Sequence, residues 1–247
     1  MGMREIFEDS VLVYRQEADS LLAIVTPAAV LALVLLIIST LSLTIALATV
    51  PAFILLYLAT YSVCLQWAGT MSTNRSFGRG RTAWLELVVR APSILLSAAP
   101  ACLLALLVAG SAIVVGHAGF WYLAIADGLL GAAAGAHWVT RHAYDQPLVI
   151  VFEAGGRAAV EAGGELAELA HDWTVRLVGV LTLPLVIVAI VCVGLGLMLA
   201  PLAGAAIFLI ALTVWLPFAA LVLASGCQRL MDEHGALERQ HAAAALS

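Results

Sequence analysis

The sequence predicts an all-α, polytopic membrane helix bundle: six transmembrane helices arranged as three hairpins, with amphipathic helices at the cytoplasmic interface. Three observations carry this. Of 247 residues, 63% are apolar and only 11% charged, against about 45–50% and about 25% in soluble domains. That is too little polar sequence to coat a soluble core. Next, no Asp, Glu, Arg or Lys falls between Asp19 and Arg75, between Arg90 and Asp127, or between Arg176 and Arg229. As single helices, the first and third tracts would run about 75 Å through a hydrocarbon layer of about 30 Å. Each must double back. Last, polar and helix-breaking residues occur where the reversals are needed.

Taken in order, an amphipathic stretch over 4–19 leads into a first span at 21–40. Ser39, Thr40, Ser42 and Thr44 interrupt the aliphatic run, and Pro51 is expected to open the return helix, 48–70. A second amphipathic stretch, 82–91, leads into the span 93–115. Gly116, His117 and Gly119 mark the tip, beside Phe120, Trp121 and Tyr122 as an aromatic anchor at headgroup level, and the chain returns over 118–139. The longest amphipathic stretch, 149–173, precedes the spans 175–198 and 203–225, with Ala200, Pro201 and Gly204 making the break. Residues 226–247 form a tail.

All eleven basic residues are arginines, and every one falls outside the three hairpin tips. The positive-inside rule then places both termini in the cytoplasm; the expected location is the plasma membrane of a prokaryote. Glu5, Glu8, Asp9, Glu17 and Asp19 precede the first apolar run where a cleavable signal would be basic, so the first span is expected to act as an uncleaved anchor. The runs Ser20–Ile38, Ser93–Ser111 and Leu177–Leu195 superpose on Pro27, Pro100 and Pro184, which suggests an interfacial helix plus hairpin used three times. A proline inside each helix frees a carbonyl that a neighbouring helix can satisfy.

Candidate chemistry is sparse. Asp127 is the ionisable side chain placed near the middle of a span, and Gly131 and Gly135 follow it at i+4 and i+8 on one face. Small residues admit a second helix, so Asp127 is expected to face protein. It reads either as a proton- or cation-coupling group or as a hydrogen-bonded acid fastening two helices through a neighbouring Ser or Thr. At the inner end of the same helix, His137, Arg141, His142 and Asp145 form an interfacial cluster in which Arg141 and Asp145 are spaced to bridge. Along 149–173, Glu153, Arg157, Glu161, Glu165, Glu168 and Asp172 make a polar stripe, with Val160, Leu166, Leu169 and Trp173 on the apolar side. The pairs Gly155-Gly156 and Gly163-Gly164 point to close packing or a hinge.

Several classes are excluded. A net charge of −5 without a basic stripe argues against nucleic acid. Cys64, Cys102, Cys192 and Cys227 lie in apolar tracts without CxxC pairing, so they read as small buried residues; no metal site and no cofactor is expected. Asp127-Gly128 begins like the CDP-alcohol phosphatidyltransferase signature, but Gly131, Ala132, Arg141 and Val149 replace its later residues, and no clustered carboxylates remain to bind metals.

Pro147 followed by Glu153, Ala158, Ala159 and Leu166, then Trp173 and another span, resembles the segment before the last hairpin of the bacterial six-helix membrane domain named after glycerophosphoryl diester phosphodiesterases. Charged residues running into the first span, Phe7 to Leu22, are similar. The chain departs from the pattern by carrying Glu where basic residues or Ser are usual. The resemblance implies a membrane domain without the soluble catalytic barrel of that family. The expectation is therefore a non-catalytic accessory, scaffold or lipid-organising component. Its partners would be the lipid bilayer and another membrane or cytoplasmic protein. The alternatives are a small transporter component using Asp127, and a lipid-headgroup enzyme using the His137–Asp145 cluster.

Overall fold

The computed structural model describes residues 3–73, 81–198 and 201–245, and among them every regular element is an α-helix. These are α1 (Met3–Gln16), α2 (Ala18–Ser39), α3 (Leu43–Thr73), α4 (Arg81–His117), α5 (Trp121–His142), α6 (Asp145–Ile150), α7 (Gly156–Leu169), α8 (His171–Met198) and α9 (Pro201–Ala245). Five helical stretches are long and apolar enough to cross a membrane: Ala18–Ser39, Leu43–Thr70, Leu87–His117, His171–Met198 and Leu202–Glu233. The stretch expected as a further span, 118–139, falls in α5. That helix has 22 residues, but Asp127, His137 and a run of Gly and Ala make it less apolar, and it is not among the five.

Helices apolar on every side must be surrounded by other apolar matter. Here other helices cover part of each surface. α2 packs along α3, α4 along α5, and α8 along α9, while α3 and α9 also meet each other. Large aliphatic side chains such as Ile37, Leu107, Leu183 and Ile190 remain exposed. The densest core lies at the end of the bundle that holds α6, where Cys64, Leu65, Tyr144, Val149, Leu177 and Val222 are buried together. α6 itself is a plug: Asp145, Pro147, Leu148, Val149 and Ile150 are all buried. Pro147 sits in its first turn, where the missing N–H costs no hydrogen bond.

The amphipathic α1 lies against α9. Phe7 and Tyr14 approach the ring of Phe218 at 6.1 Å each, and the Tyr14 hydroxyl donates to the Val214 carbonyl at 3.0 Å. That carbonyl lies three residues before Pro217. In the same relation to Pro184, the Leu181 carbonyl accepts from Trp215 Nε1 at 3.0 Å. Each acceptor is one residue past the carbonyl, Thr213 or Val180, that loses its backbone donor to the proline. The three proline-aligned runs share a buried position six residues before the proline, at Leu21, Ile94 and Val178.

Several boundaries differ from the sequence reading. Pro51 does not open α3, which starts at Leu43 and carries Pro51 in its interior; the bundle tolerates a mid-helix proline that hydropathy alone reads as a start. Gly204 is not a turn residue. It is buried within α9, and a Cβ there would strike the Cys192 carbonyl of α8, so it sets how closely these helices approach. Residues 82–91 are continuous with α4 through Pro92. Ala200 lies outside the described residues, as do the side chains of Trp121 and Tyr122. The 149–173 stretch is three pieces instead of one helix: the end of α6, a loop, and α7 running into α8. Glu153 breaks it with a φ of 60°, and Gly155-Gly156 follows. Because of that break, α7 presents Gly156, Ala159, Gly163, Leu166 and Ala167 to the bundle. Leu169, expected on the apolar side, is 68% exposed.

Candidate functional site

Asp127 lies on α5 facing α4. Ser111 of α4 donates a hydrogen bond to Asp127 Oδ2, while also meeting the Leu107 and Val108 carbonyls of its own helix. One turn on, a Cβ added to Gly131 would strike the Val108 side chain, so α4 and α5 are in tight contact there. Gly135 does not extend this contact: nothing lies within 4 Å of a Cβ built on it. Further along α5, toward its inner end, lies a cavity of about 370 Å³.

That cavity is walled by α3, α4, α5 and α9, with α6 closing one end. Its volume falls within the roughly 300–1,000 Å³ of small-molecule sites. Ile54, Leu58, Ala101, Cys102, Ala105 and Leu216 give it an apolar lining. From Gln146 and Ser97 at the α6 end, it follows α4 as far as Ala105, a rise of about 12 Å. Ala98 and Ala143 on its wall are buried, whereas Ala105 and Val139 are exposed. The cavity is therefore closed toward α6 and open sideways between α4 and α5.

The closed end is polar. His142 Nδ1 lies 2.8 Å from Asp145 Oδ2, and Trp138 stacks on the His142 ring at 3.9 Å. Gln146 Nε2 donates to the Ile94 carbonyl at 3.1 Å and to Ser97 Oγ at 2.6 Å. The carbonyl can only accept, so the amide is oriented with both N–H groups engaged. Gln146 Oε1 and Asp145 Oδ1 are buried without a hydrogen-bond partner. Asp145 is 2% exposed at its side chain, and its Oδ1 lies against Gly163 of α7, where any Cβ would collide with it.

Burial pushes the Asp145 carboxyl up to about 8. The uncharged acid is favoured there, and a protonated Asp145 can donate to His142 Nδ1.

The remaining cluster members point elsewhere. Arg141 does not bridge Asp145. It lies 3.8 Å from Glu168 of α7, because Asp145 turns into the bundle beneath α7 while Arg141 stays on the surface. His137 is exposed. Glu153 pairs with Arg90, whose guanidinium also donates to the Ile150 carbonyl at 2.7 Å and so caps α6. Arg157 meets Glu161 at 3.1 Å. Among the described residues no group of His, Cys, Asp and Glu could hold a metal ion, and all four cysteines are free thiols. Sequence reasoning missed Gln146, Ser97 and Trp138. A polar residue directly after a buried acid, before Pro147, was the available signal for Gln146. Ser97 on an apolar helix carried none. No family model, curated protein or solved structure matches the chain.

Proposed function

We propose that the chain is an integral membrane protein with six crossings in three hairpins and both termini on the cytoplasmic side of a prokaryotic plasma membrane. It works without catalysis as an accessory, lipid-organising component, in the manner of the six-helix membrane domain that the Pro147–Trp173 pattern resembles. α5 serves as the sixth crossing: at 22 residues it spans about 33 Å and lies along α4. The amphipathic α1 and α7 lie at the cytoplasmic interface. The acidic exposed edge of α7 is available to a protein partner.

One observation carries the lipid-organising reading: the apolar cavity is flanked by the exposed Ala105 and Val139, an opening sideways between α4 and α5. Purified in mild detergent, the protein should retain native lipid in stoichiometric amount by native mass spectrometry. Recovery free of lipid would refute the reading. Reporter fusions at Thr44 and His117 should report the extracytoplasmic side, and cytoplasmic signals there would refute the crossing count.

A second reading, a lipid-headgroup enzyme, is favoured by the oriented His142–Asp145 pair on the cavity wall. Turnover of bilayer lipid by the purified chain, abolished in His142→Ala, would replace the non-catalytic reading.

A further inference from the structure

We propose that the outward side of α5 is the seam of a symmetric dimer, in which Leu123, Ala126, Leu130, Ala133 and His137 meet the same residues of a second copy. The inference rests on α5 crossing the membrane.

The bundle leaves this side of α5 uncovered. α5 packs on α4, α7 and α8, and Gly131 and Asp127 turn toward α4. Away from that contact, Leu123, Ala126, Leu130, Ala133 and His137 follow one another at spacings of three, four, three and four, and all five are exposed. Such a period is shared by any helix at the edge of a bundle, but the residue types are not. On α8 the exposed positions include Leu183, Val186, Ile190, Val193 and Leu197, large aliphatic side chains suited to lipid. The α5 face carries alanine at two of its five positions and an imidazole at a third. At its edge, Asp127 is half-buried and the Ser111 hydroxyl of α4 is exposed. Carboxyl and imidazole groups are costly against acyl chains and within membranes face protein. The same residues keep α5 outside the five most apolar stretches.

A second copy fits this face by symmetry. Copies inserted with one topology bring α5 against α5 in parallel about an axis normal to the membrane. Every layer then meets its counterpart at equal depth, and the pair closes. Alternating spacings of three and four are those of left-handed helix pairs, and the alanine layers admit close backbone approach. The polar layer matches itself. An uncharged imidazole has one N–H donor and one acceptor nitrogen, so two His137 side chains complete one hydrogen bond between them. A single polar layer in an otherwise apolar seam also fixes the register. A foreign helix would need its own polar group at that depth, about 16 Å along the helix from Ala126; the second copy carries it there.

The test uses the full chain. Ala133→Cys, oxidised in native membranes, should yield a disulfide-linked dimer. Val186→Cys on α8 should not, nor should wild type with its own four thiols. Sedimentation in density-matched mild detergent should show a dimer that dissociates on dilution. Ala133→Phe, at an exposed position that leaves the fold of one chain intact, should weaken association about tenfold or more. His137→Leu should weaken it about threefold, and His137→Gln, whose amide again offers donor and acceptor, should restore it. A monomer at every concentration, equal cross-linking through Val186→Cys, or an unchanged Ala133→Phe would each overturn the inference. So would His137→Leu associating as tightly as His137→Gln, or a cross-link from Ala133→Cys to a different protein. A monomeric chain whose His117 reporter is extracytoplasmic would overturn the dimer alone. A cytoplasmic His117 reporter would remove the crossing of α5 and the seam with it.

Discussion

Gly163 and Gly164 are neighbours on α7, yet a methyl group on each should have opposite effects. In a helix interior, Gly→Ala stabilises by about 1 kcal/mol through reduced backbone freedom in the unfolded chain. Gly164 has open space around its Cβ position, so Gly164→Ala should realise that gain. At Gly163 the added carbon would collide with Asp145 Oδ1 and lie 3.1 Å from the Asp145 amide nitrogen and 3.3 Å from its Cγ. Turning Oδ1 aside would disturb the His142 contact, and the backbone nitrogen at 3.1 Å must also yield by a few tenths of an ångström. Overpacking costs about 1–3 kcal/mol, and lifting α7 away from Asp145 adds the loss of its buried Ala159, Leu166 and Ala167. The net effect of Gly163→Ala should be a loss of about 1–2 kcal/mol after the helix-propensity gain is subtracted. Thermal unfolding in mild detergent reads this directly. At about 2–4 °C per kcal/mol for a chain of this size, Gly164→Ala should melt a few degrees above wild type and Gly163→Ala a few degrees below. If both variants melted higher, α7 would not sit on Asp145 and the closed end of the cavity would have to be redrawn.

Three other outcomes follow from the same geometry. The Asp145 carboxyl, raised from 3.8 to about 8, contributes stability that is full below its unfolded value and is lost as pH rises through 8. Between pH 7 and 9, wild type should lose roughly 1–2 kcal/mol relative to Asp145→Asn, and parallel melting curves for the two would refute the neutral-acid assignment. Arg90→Ala removes the donor to the Ile150 carbonyl and the partner of Glu153; a loss of about 1–3 kcal/mol should show as proteolytic cleavage near 151–155, and an uncut loop would count against the clamp. Ser111→Ala strips Asp127 of its α4 donor and should lower the melting temperature by a few degrees, whereas no change would mean that the pair contributes nothing.

The helical class was legible because charge-free tracts are a property of composition, and composition survives any packing arrangement. Reversals read from polar residues near Ser39–Thr44 and Gly116–Gly119 fall where α2 and α4 end. Prolines misled: Pro51 was read as a helix start, since a helix interior shielded from water tolerates what a soluble helix does not. Gly204 was read as a breaker because glycine near Pro201 signals a turn, while its role is to let two backbones touch. Of the polar candidates, periodicity placed Asp127 and Gly131 on one face, but it cannot show where two helices stop touching. Gly135, with the right spacing and no neighbour, illustrates this. The Asp145 pocket was only half legible. His142 and Asp145 were singled out together with His137 and Arg141, because i, i+3 and i, i+4 spacing cannot tell which side of a helix end turns inward once α6 changes direction.

The seating of α1 on α9 has a consequence for biogenesis. Tyr14 and its acceptor, the carbonyl of Val214, are 200 residues apart. At about 5–20 residues per second, a ribosome needs on the order of 10–40 s to make the second after the first. For that interval the apolar side of the leading helix, with Ile6 and Phe7, has no docking groove. It must rest on the bilayer surface or in the grip of the insertion machinery. α1 is thus among the last elements to be locked down, so a truncation that removes α9 should release α1 as well.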